Sequence, residues 1–273
     1  MIVQSGPAEG PRFVMTMDQH TAFAAALAEQ FGNDEFEPPV PRELFLYLVA
    51  NHDAGWRELD RRAPRNPATG FPYHLVETPM ADIVATSSAS PDFNEQHHAY
   101  CGMLSSMHSW GLYNGRYGMS DKVLIEGLQG QDRELAARML EGEEQRQSRL
   151  RAELDEQQGA TSGTRPEEIF RSYKLLQFFD TLALYFNCTP EGARAATSFS
   201  HVPRNLAEDT EVAVEPLGDG AYRLVPWPFD VDEVSLSYSG CELLPESAGE
   251  ELGWLLRDTE ETHQSVVLRR TAD

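Results

Sequence analysis

The sequence is poor in cysteine, in lysine and in long apolar runs, and each shortage excludes a class of protein. Its three cysteines, Cys101, Cys188 and Cys241, are far apart and form no Cys-x-x-Cys pair, which argues against a disulfide framework or a thiolate zinc site. The longest apolar run, residues 44–50, is far shorter than the roughly 20 residues of a membrane-spanning helix. No basic and apolar leader of the secretory kind opens the sequence, so we expect a cytoplasmic protein.

Basic residues are scarce as well. Asp and Glu total 44 against 22 Lys and Arg, which gives a formal net charge of −22, and Lys122 and Lys174 are the only lysines. Such a surface repels nucleic acid and anionic membranes, so we expect neither as a partner. We expect a small-molecule substrate instead. If that substrate is anionic, the positive centre of the protein that binds it must be an arginine or a metal ion.

Hydrophobic residues make up 41% of the 273 residues and charged residues 24%, which is typical of a globular protein. Helical periodicity dominates as far as residue 186, and strand-like alternation follows residue 203. The sequence therefore predicts an α+β fold, with a mainly helical body over residues 1–205 and a β-rich C-terminal section over residues 206–273. A short hairpin at the N-terminus is expected to join the C-terminal sheet.

The expected elements follow from caps, prolines and periodicity. A helix begins after the Thr16–Gln19 capping-box pair, and the segment 61–79 is expected to be a long loop. The other helices are expected at 41–55, 93–113, 132–157 and 166–186, with a break at 159–165, and the strands at 211–214, 221–225, 233–238 and 265–269.

Six of the eight histidines lie in the first 108 residues, and three of them, His20, His52 and His108, fall on otherwise apolar helical faces. For any one of them, a buried neutral imidazole satisfied by hydrogen bonds is the simpler interpretation. Asp180 favours a common site, because it also falls on an apolar face, where a carboxylate is costly unless it is paired or binds a metal. A His/carboxylate set without thiolates suits iron, manganese, zinc or nickel.

The order of these residues resembles the HD-domain superfamily of metal-dependent phosphohydrolases. A histidine on one helix, His20, is followed by the pair His52-Asp53 and later by Asp180 on an apolar helix. The resemblance implies an all-helical site in which these four residues hold a divalent ion, and in which Asp53 can bridge to a second ion. It covers roughly residues 18–186 and leaves the C-terminal strands outside.

A closer resemblance extends over nearly the whole chain. The strings DQH (18–20), NHDAGWRELD (51–60), NPATGFP (66–72) and LSSMH (104–108) are similar to a bacterial family, domain-of-unknown-function family 3891. The resemblance supports the fold more than a function. Where many HD phosphohydrolases have a lysine shortly after the His-Asp pair, this sequence has Trp56-Arg57. Arg57 is either an anion clamp or an exposed arginine paired with a neighbouring acid.

The leading hypothesis is a metal-dependent hydrolase of phosphate esters with one or two divalent transition-metal ions. Asp53 and Arg57 are its expected catalytic residues, and the alternatives are an HD-fold di-iron oxygenase and a non-catalytic metal-binding protein. A homodimer is left open.

One more histidine is expected to join His20, His52, Asp53 and Asp180 at the metal. On a single helix over 93–113, His97 and His108 would lie about 16 Å apart at 1.5 Å per residue, so that one ion cannot bind both. We expect His108, because its neighbours are apolar or small, whereas His97 and His98 follow a polar run.

Overall fold

Helical periodicity in the first two-thirds of the chain and alternation in the last third give an α+β fold, as predicted. A computed structural model describes residues 1–156 and 162–271. The helices are α1 (Met17–Glu29), α2 (Arg42–Asn51), α3 (Arg57–Arg62), α4 (Met80–His97), α5 (Ala99–Tyr113), α6 (Gly115–Gly118), α7 (Leu124–Gly127), α8 (Gly130–Glu156), α9 (Pro166–Cys188) and α10 (Gly253–Asp258). The strands are β1 (Ile2–Val3), β2 (Arg12–Met15), β3 (Thr197–Pro203), β4 (Asp209–Gly218), β5 (Ala221–Val225), β6 (Glu233–Leu243) and β7 (Glu261–Arg269).

These strands form one sheet in the order β1-β2-β6-β7-β5-β4-β3. The N-terminal hairpin joins it as predicted, since β2 pairs antiparallel with β6 and places Val14 opposite Cys241. Strand β7 is the last in the sequence but lies near the middle of the sheet. It runs antiparallel to β6 and parallel to β5.

The sheet also begins earlier than expected. Strand β3 was not predicted, and it pairs with β4 across a register shift between Phe199 and Val202. Helix α10 was missed as well, whereas the bounds of β5 agree with the prediction. The division of the chain at residue 205 stays a prediction, although β3 shows that the sheet draws on residues before it.

The prediction of a single helix over 93–113 is wrong. Helix α4 begins at Met80 and ends at His97, and α5 begins at Ala99. His98 between them is extended, and its Nδ1 accepts a hydrogen bond from the Tyr100 N–H at 3.0 Å, so it caps α5. The two helices turn back on each other and pack closely. A Cβ on Gly102 would lie only 2.7 Å from the Cβ of Glu95, so only glycine fits at this contact. Pro91 lies inside α4, where a proline normally breaks a helix, so the local sequence does not signal this helix.

The predicted loop 61–79 is shorter than expected, because α3 extends to Arg62. It contains a 3₁₀ turn at Leu75–Glu77 and is held to the C-terminal section by a bridge between Pro64 and Glu251. The predicted break at 159–165 lies partly outside the described residues.

The main hydrophobic core joins the helices to the inner face of the sheet. Phe23 of α1 and Phe186 of α9 contact Tyr238 and Tyr222 of the strands through their rings. Buried Arg194 donates to the hydroxyl of Tyr222 at 2.6 Å and to that of Tyr238 at 2.7 Å, and so links the end of α9 to the sheet. Within residues 1–156 and 162–271, no helix combines the length and apolar character needed to cross a bilayer.

Candidate metal centre

Four buried polar side chains from four helical segments meet in the core. His20 comes from α1, His52 from the residue after α2, His108 from the middle of α5 and Asp180 from α9, and they are 0, 0, 3 and 4% exposed. The carboxyl group of Asp53 lies at their edge and is 13% exposed. Such groups must satisfy one another or bind something between them, because burial alone is unfavourable. We call these five residues the His/Asp cluster.

The first helix is placed by its N-terminal cap. Thr16 Oγ1 accepts from the Gln19 N–H, and Gln19 Oε1 accepts from the Thr16 N–H at 2.8 Å, which is the predicted capping box. With the start of α1 fixed, His20 falls on the buried face that also carries Phe23 and Leu27.

Asp180 is the centre of the cluster. Its Oδ1 lies 3.2 Å from His20 Nε2 and 3.7 Å from His52 Nε2. On its other side, His52 Nε2 lies 3.5 Å from Asp53 Oδ2. The rings of His20 and His52 are 5.7 Å apart, and those of His52 and His108 are 5.1 Å apart. Three imidazoles therefore surround one carboxylate.

The Nδ1 atom of each histidine faces a protein group. His20 Nδ1 lies 2.9 Å from Asn187 Oδ1, and His52 Nδ1 lies 2.8 Å from the carbonyl oxygen of Val49. Both neighbours are acceptors, so each Nδ1 carries the proton, and a neutral ring presents the lone pair of Nε2 to the cluster. Metal-binding histidines are commonly oriented in this way.

His108 differs in one respect. Its Nδ1 lies 2.8 Å from the amide nitrogen of Gln177, which donates to it, so a neutral ring carries its proton on Nε2. Gln177 Oε1 has no hydrogen-bond partner among the described residues. A half-turn of this amide lets Oε1 accept from Nδ1–H and frees Nε2 as a ligand.

The electrostatics of the cluster are coupled. Burial opposes protonation of His52, but the charges of Asp53 and Asp180 outweigh it and raise its pKa to about 9. Burial lowers the pKa of His108 to about 4, and the positive charge of Arg116 adds to this effect. For Asp180, burial opposes ionisation, but the hydrogen bond to His20 and the nearby imidazoles of His52 and His108 hold its pKa well below the usual range. A cation among these groups, either a proton or a metal ion, stabilises the ionised Asp180.

The donor set fits a metal ion. Two groups, His20/His52/Asp53 and His52/His108/Asp180, each have their ligand atoms within 4.8 Å of one another. Ligand atoms bound at about 2.1 Å to one tetrahedral ion are about 3.4 Å apart, and the contacts from Nε2 to the carboxylates span 3.2 to 3.7 Å. In addition, buried His52 Nε2 makes no hydrogen bond in the described part of the chain. The residues present could therefore hold an ion, with His52 common to both groups.

A tight turn positions Asp53. Gly55, two residues after Asp53, has no room for a side chain, since a Cβ there would lie 2.3 Å from the carbonyl oxygen of Thr86. The Gly55 N–H donates to Ser90 Oγ at 3.0 Å, and Asn94 Nδ2 donates to the carbonyl of Asn51 at 2.8 Å. Helix α4 thus holds both sides of the His52-Asp53 turn.

The His52-Asp53 turn lies in a region that matches a known protein family. The sequence model of a family described as "Protein of unknown function (DUF3891)" matches residues 1–244. The chain belongs to the DUF3891 family. No curated protein and no solved structure matches it. The matched region of this DUF3891 chain contains the whole His/Asp cluster and ends before β7.

Arg57 of the DUF3891 chain, four residues after Asp53, already has hydrogen-bond partners. Its Nε donates to Asp18 Oδ1 at 2.9 Å, its Nη2 donates to Asn51 Oδ1 at 2.9 Å, and its guanidinium lies 4.5 Å from the ring centre of Phe93. Its partners are therefore not the neighbouring acids Glu58 and Asp60. A role as an anion clamp stays a prediction.

Three other histidines and Asp60 lie outside the cluster. The ring of His97 stacks on Tyr47 at 3.5 Å, and His98 caps α5. His74 Nδ1 accepts from the Val3 N–H at 3.1 Å, in the N-terminal hairpin. Asp60 Oδ2 accepts from the Met17 N–H at 2.6 Å.

Sequence reasoning missed Gln177 and Asn187, which support two of the imidazoles. Both lie on α9, three residues before and seven after Asp180, and both are buried. These spacings place them on nearly the same helical face as Asp180. Their polar character on an apolar helix was the available signal.

Proposed function

We propose that this DUF3891 protein binds a divalent transition metal at the His/Asp cluster and uses it to hydrolyse a small phosphate ester. The observation that carries the proposal is His52 Nε2, a buried nitrogen without a hydrogen-bond partner in the described chain that faces two carboxylates. A buried polar atom left unsatisfied is destabilising, and a bound ion removes that penalty.

The assignment of ligands follows the order His, His-Asp and Asp of the HD-type site. His20, His52, Asp53 and Asp180 hold the metal, and His108 completes the set after its amide partner turns. Two overlapping donor groups allow one ion or two. Iron, manganese, zinc and nickel all suit nitrogen and oxygen ligands of this kind.

When bound, such an ion lowers the pKa of a coordinated water and polarises a phosphoryl oxygen. Asp53 is the only cluster carboxylate with appreciable exposure, so it orients the attacking water and accepts its proton. Arg57 Nη1 has no hydrogen-bond partner among the described residues, and it binds the substrate anion. The buried imidazoles and Asp180 keep bulk water out of the interior side.

A second candidate activity is an oxygenase with two iron ions. The presence of His108 within the cluster favours it, since a third imidazole goes beyond the four residues of the basic HD-type pattern.

The test is to load chelator-treated protein separately with iron, manganese, zinc and nickel and to measure bound metal, phosphate release and oxygen uptake. We expect near-stoichiometric metal and metal-dependent cleavage of generic phosphomonoesters or phosphodiesters. Oxygen uptake with ferrous iron and no phosphate release would replace the hydrolase with the oxygenase. Bound metal with neither activity would leave a non-catalytic metal protein, and no bound metal would refute the site itself.

A control variant separates the site from general folding. Glu143→Gln alters a buried carboxyl group on α8 that contacts no cluster residue, and it should retain metal and activity. Asp53→Ala should lose both. If Asp53→Ala retains both metal and activity, the assignment of ligands is wrong.

A further inference from the structure

A second polar site lies in a groove between α9, β3 and the turn at α6. Its cavity volume is about 270 Å³, just below the usual range for small-molecule pockets. The groove's basic and hydroxyl lining residues include Arg116, Ser120, Lys174, Thr181, Ser198 and His201, and no Asp or Glu of the described chain lines it. That composition is unusual in a chain with 44 acidic and 22 basic residues.

The contrast with another groove shows that this composition is not general. The groove beside Phe229 is lined by four acidic residues and only one basic residue, which are Asp34, Glu35, Asp230, Asp232 and Arg270. An anion is repelled there, whereas the groove at α9 presents basic groups.

Arg116 is the main charged group of the α9 groove. Five lysine and arginine side chains have no hydrogen-bond or ion-pair partner within residues 1–156 and 162–271. Four of them are exposed on the surface (Lys122, Arg133, Arg138 and Arg257), and only Arg116 is half-buried. Lys174 adds less, because Asp209 pairs with its Nζ at 2.5 Å. A half-buried guanidinium without a counter-ion favours an anionic ligand.

The backbone holds Arg116 in an unfavourable conformation. All four residues of α6 have positive φ, including Arg116 at 50° and Tyr117 at 57°. Each non-glycine residue in this left-handed region costs about 1–2 kcal/mol. Across the groove, His201 at the irregular part of β3 also has a positive φ of 59°. Strained residues of this kind concentrate at ligand sites.

Apolar groups form the rest of the groove. Phe178 and Phe199 pack edge to face with ring centres 5.9 Å apart, and Met119 lies beside them in the lining. The groove therefore offers a cation and hydroxyl donors next to an apolar wall. Gln177, which contacts His108 Nδ1, also lines it and stands between the groove and the His/Asp cluster.

From this arrangement we infer that the α9 groove binds a small organic molecule carrying an oxyanion, with Arg116 on the oxyanion and the aromatic wall on the apolar part. The site is separate from the metal centre and does not depend on the proposed hydrolysis. A phosphate and a carboxylate group share this chemistry, and the probes below distinguish them.

The test is calorimetric titration of the full chain in EDTA and about 0.15 M NaCl, which screens the protein's net charge. Phenyl phosphate, benzoate and inorganic phosphate are titrated separately. We expect phenyl phosphate or benzoate to bind, whichever oxyanion the site prefers, and inorganic phosphate to bind more weakly because it lacks the apolar part. Arg116→Gln should weaken binding by roughly tenfold or more.

Arg138→Gln is the matched control, since it removes an unpaired but exposed arginine, and its affinity should equal that of the unchanged protein. Ser198→Asp places a negative charge in the groove from β3 and should abolish binding without altering the α6 turn. Equal affinity in Arg116→Gln, or no binding of any probe, overturns the proposal. A second titration replaces the EDTA with metal. If a probe binds only then, and Asp180→Asn abolishes this binding but Arg116→Gln does not, the anion binds at the metal centre. In that case the groove proposal fails while the metal proposal stands.

Discussion

Two regions of the molecule bury a carboxylate to the same extent and balance its charge differently. Glu143 is 3% exposed and Asp180 is 4% exposed. Arg146 lies 3.0 Å from Glu143 and also pairs with Asp92 and Glu95. We call Asp92, Glu95, Glu143, Arg146 and Arg149 the arginine cluster. Asp180 contacts imidazoles, and no lysine or arginine among the described residues forms an ion pair with it.

The difference lies in how constant the balancing charge is. An arginine stays protonated at any pH at which the protein is folded, so the arginine cluster keeps its charges and serves to hold α4 to α8. An imidazole gains and loses its proton near neutral pH. The charge balance at Asp180 therefore depends on what the site holds. Only the His/Asp cluster can exchange its cation.

The largest effect is expected when the central carboxylate of the His/Asp cluster is removed, because stabilisation by metal should then be lost. Asp180→Asn preserves the shape of the side chain but removes the negative ligand. We expect the unchanged protein to be stabilised by about 4 kcal/mol when free metal is 1,000 times its Kd, and the variant to show no such gain. Thermal unfolding with each metal and with EDTA measures this. Glu143→Gln, the matched change in the arginine cluster, should keep the gain, and a full metal response in Asp180→Asn would contradict the assignment.

The pH dependence of stability should reverse when metal is added. In metal-free protein the pKa of His52 is raised from 6.5 to about 9, so its contribution is fully present below pH 6.5 and is lost as pH rises through 9. The expected loss is at most about 3 kcal/mol. With metal, the ligand must be neutral, so binding strengthens as pH rises over the same range. Urea unfolding at several pH values, with EDTA and with metal, tests both slopes, and parallel slopes would refute the exchange of a proton for an ion.

Breaking the arginine cluster should lower stability without affecting metal. Arg146→Gln leaves Glu143 buried without its cation and Asp92 close to Glu95 with less compensation. We expect a loss of about 2 kcal/mol, below the usual cost for a fully buried pair because Arg146 is 16% exposed. Urea unfolding gives the loss, and elemental analysis should show unchanged metal content. Arg138→Gln on the exposed face of the same helix should change stability by less than about 0.5 kcal/mol. Reduced metal in Arg146→Gln would mean that the two clusters are coupled.

The smallest expected effect concerns an imidazole's support. Gln177→Leu removes the amide that faces His108 Nδ1, and metal affinity should fall by about tenfold with little change in metal-free stability. Competition with a chelator of known affinity measures it. Gln147→Leu is the control, because Gln147 also bonds buried groups but lies on α8 near the arginine cluster. Equal affinities in the two variants would place His108 outside the metal site.

The helical faces that carry the cluster could be predicted because apolar periodicity is a local property. His20 shares its spacing with Phe23 and Leu27, and Asp180 shares its spacing with Tyr173 and Leu176, so both were expected in the core. The capping box of α1 is likewise a pattern within four residues. The sequence alone therefore indicated that His20 and Asp180 face inward.

The remainder depends on tertiary contacts or on unusual caps. Helix α4 ends where the His98 side chain caps α5, whereas glycine or proline is the usual signal. The partner of His52 Nδ1 is a backbone carbonyl, which any residue at position 49 would supply. Arg57 pairs with Asp18, a residue 39 positions away, in preference to its sequence neighbours. No local pattern encodes such choices.

The central position of β7 determines the order in which the sheet can be completed. Strands β1, β2 and β6 form one part and β5, β4 and β3 form another, and β7 is the only described strand that pairs with both. During synthesis β7 leaves the ribosome after the other six strands, so the two parts stay unjoined until then. A chain interrupted before residue 261 would expose unpaired edges at β6 and β5, which can pair with other chains and aggregate. Assembly of this sheet is therefore a late event in folding, and the chain is most prone to aggregate before β7 has been synthesised.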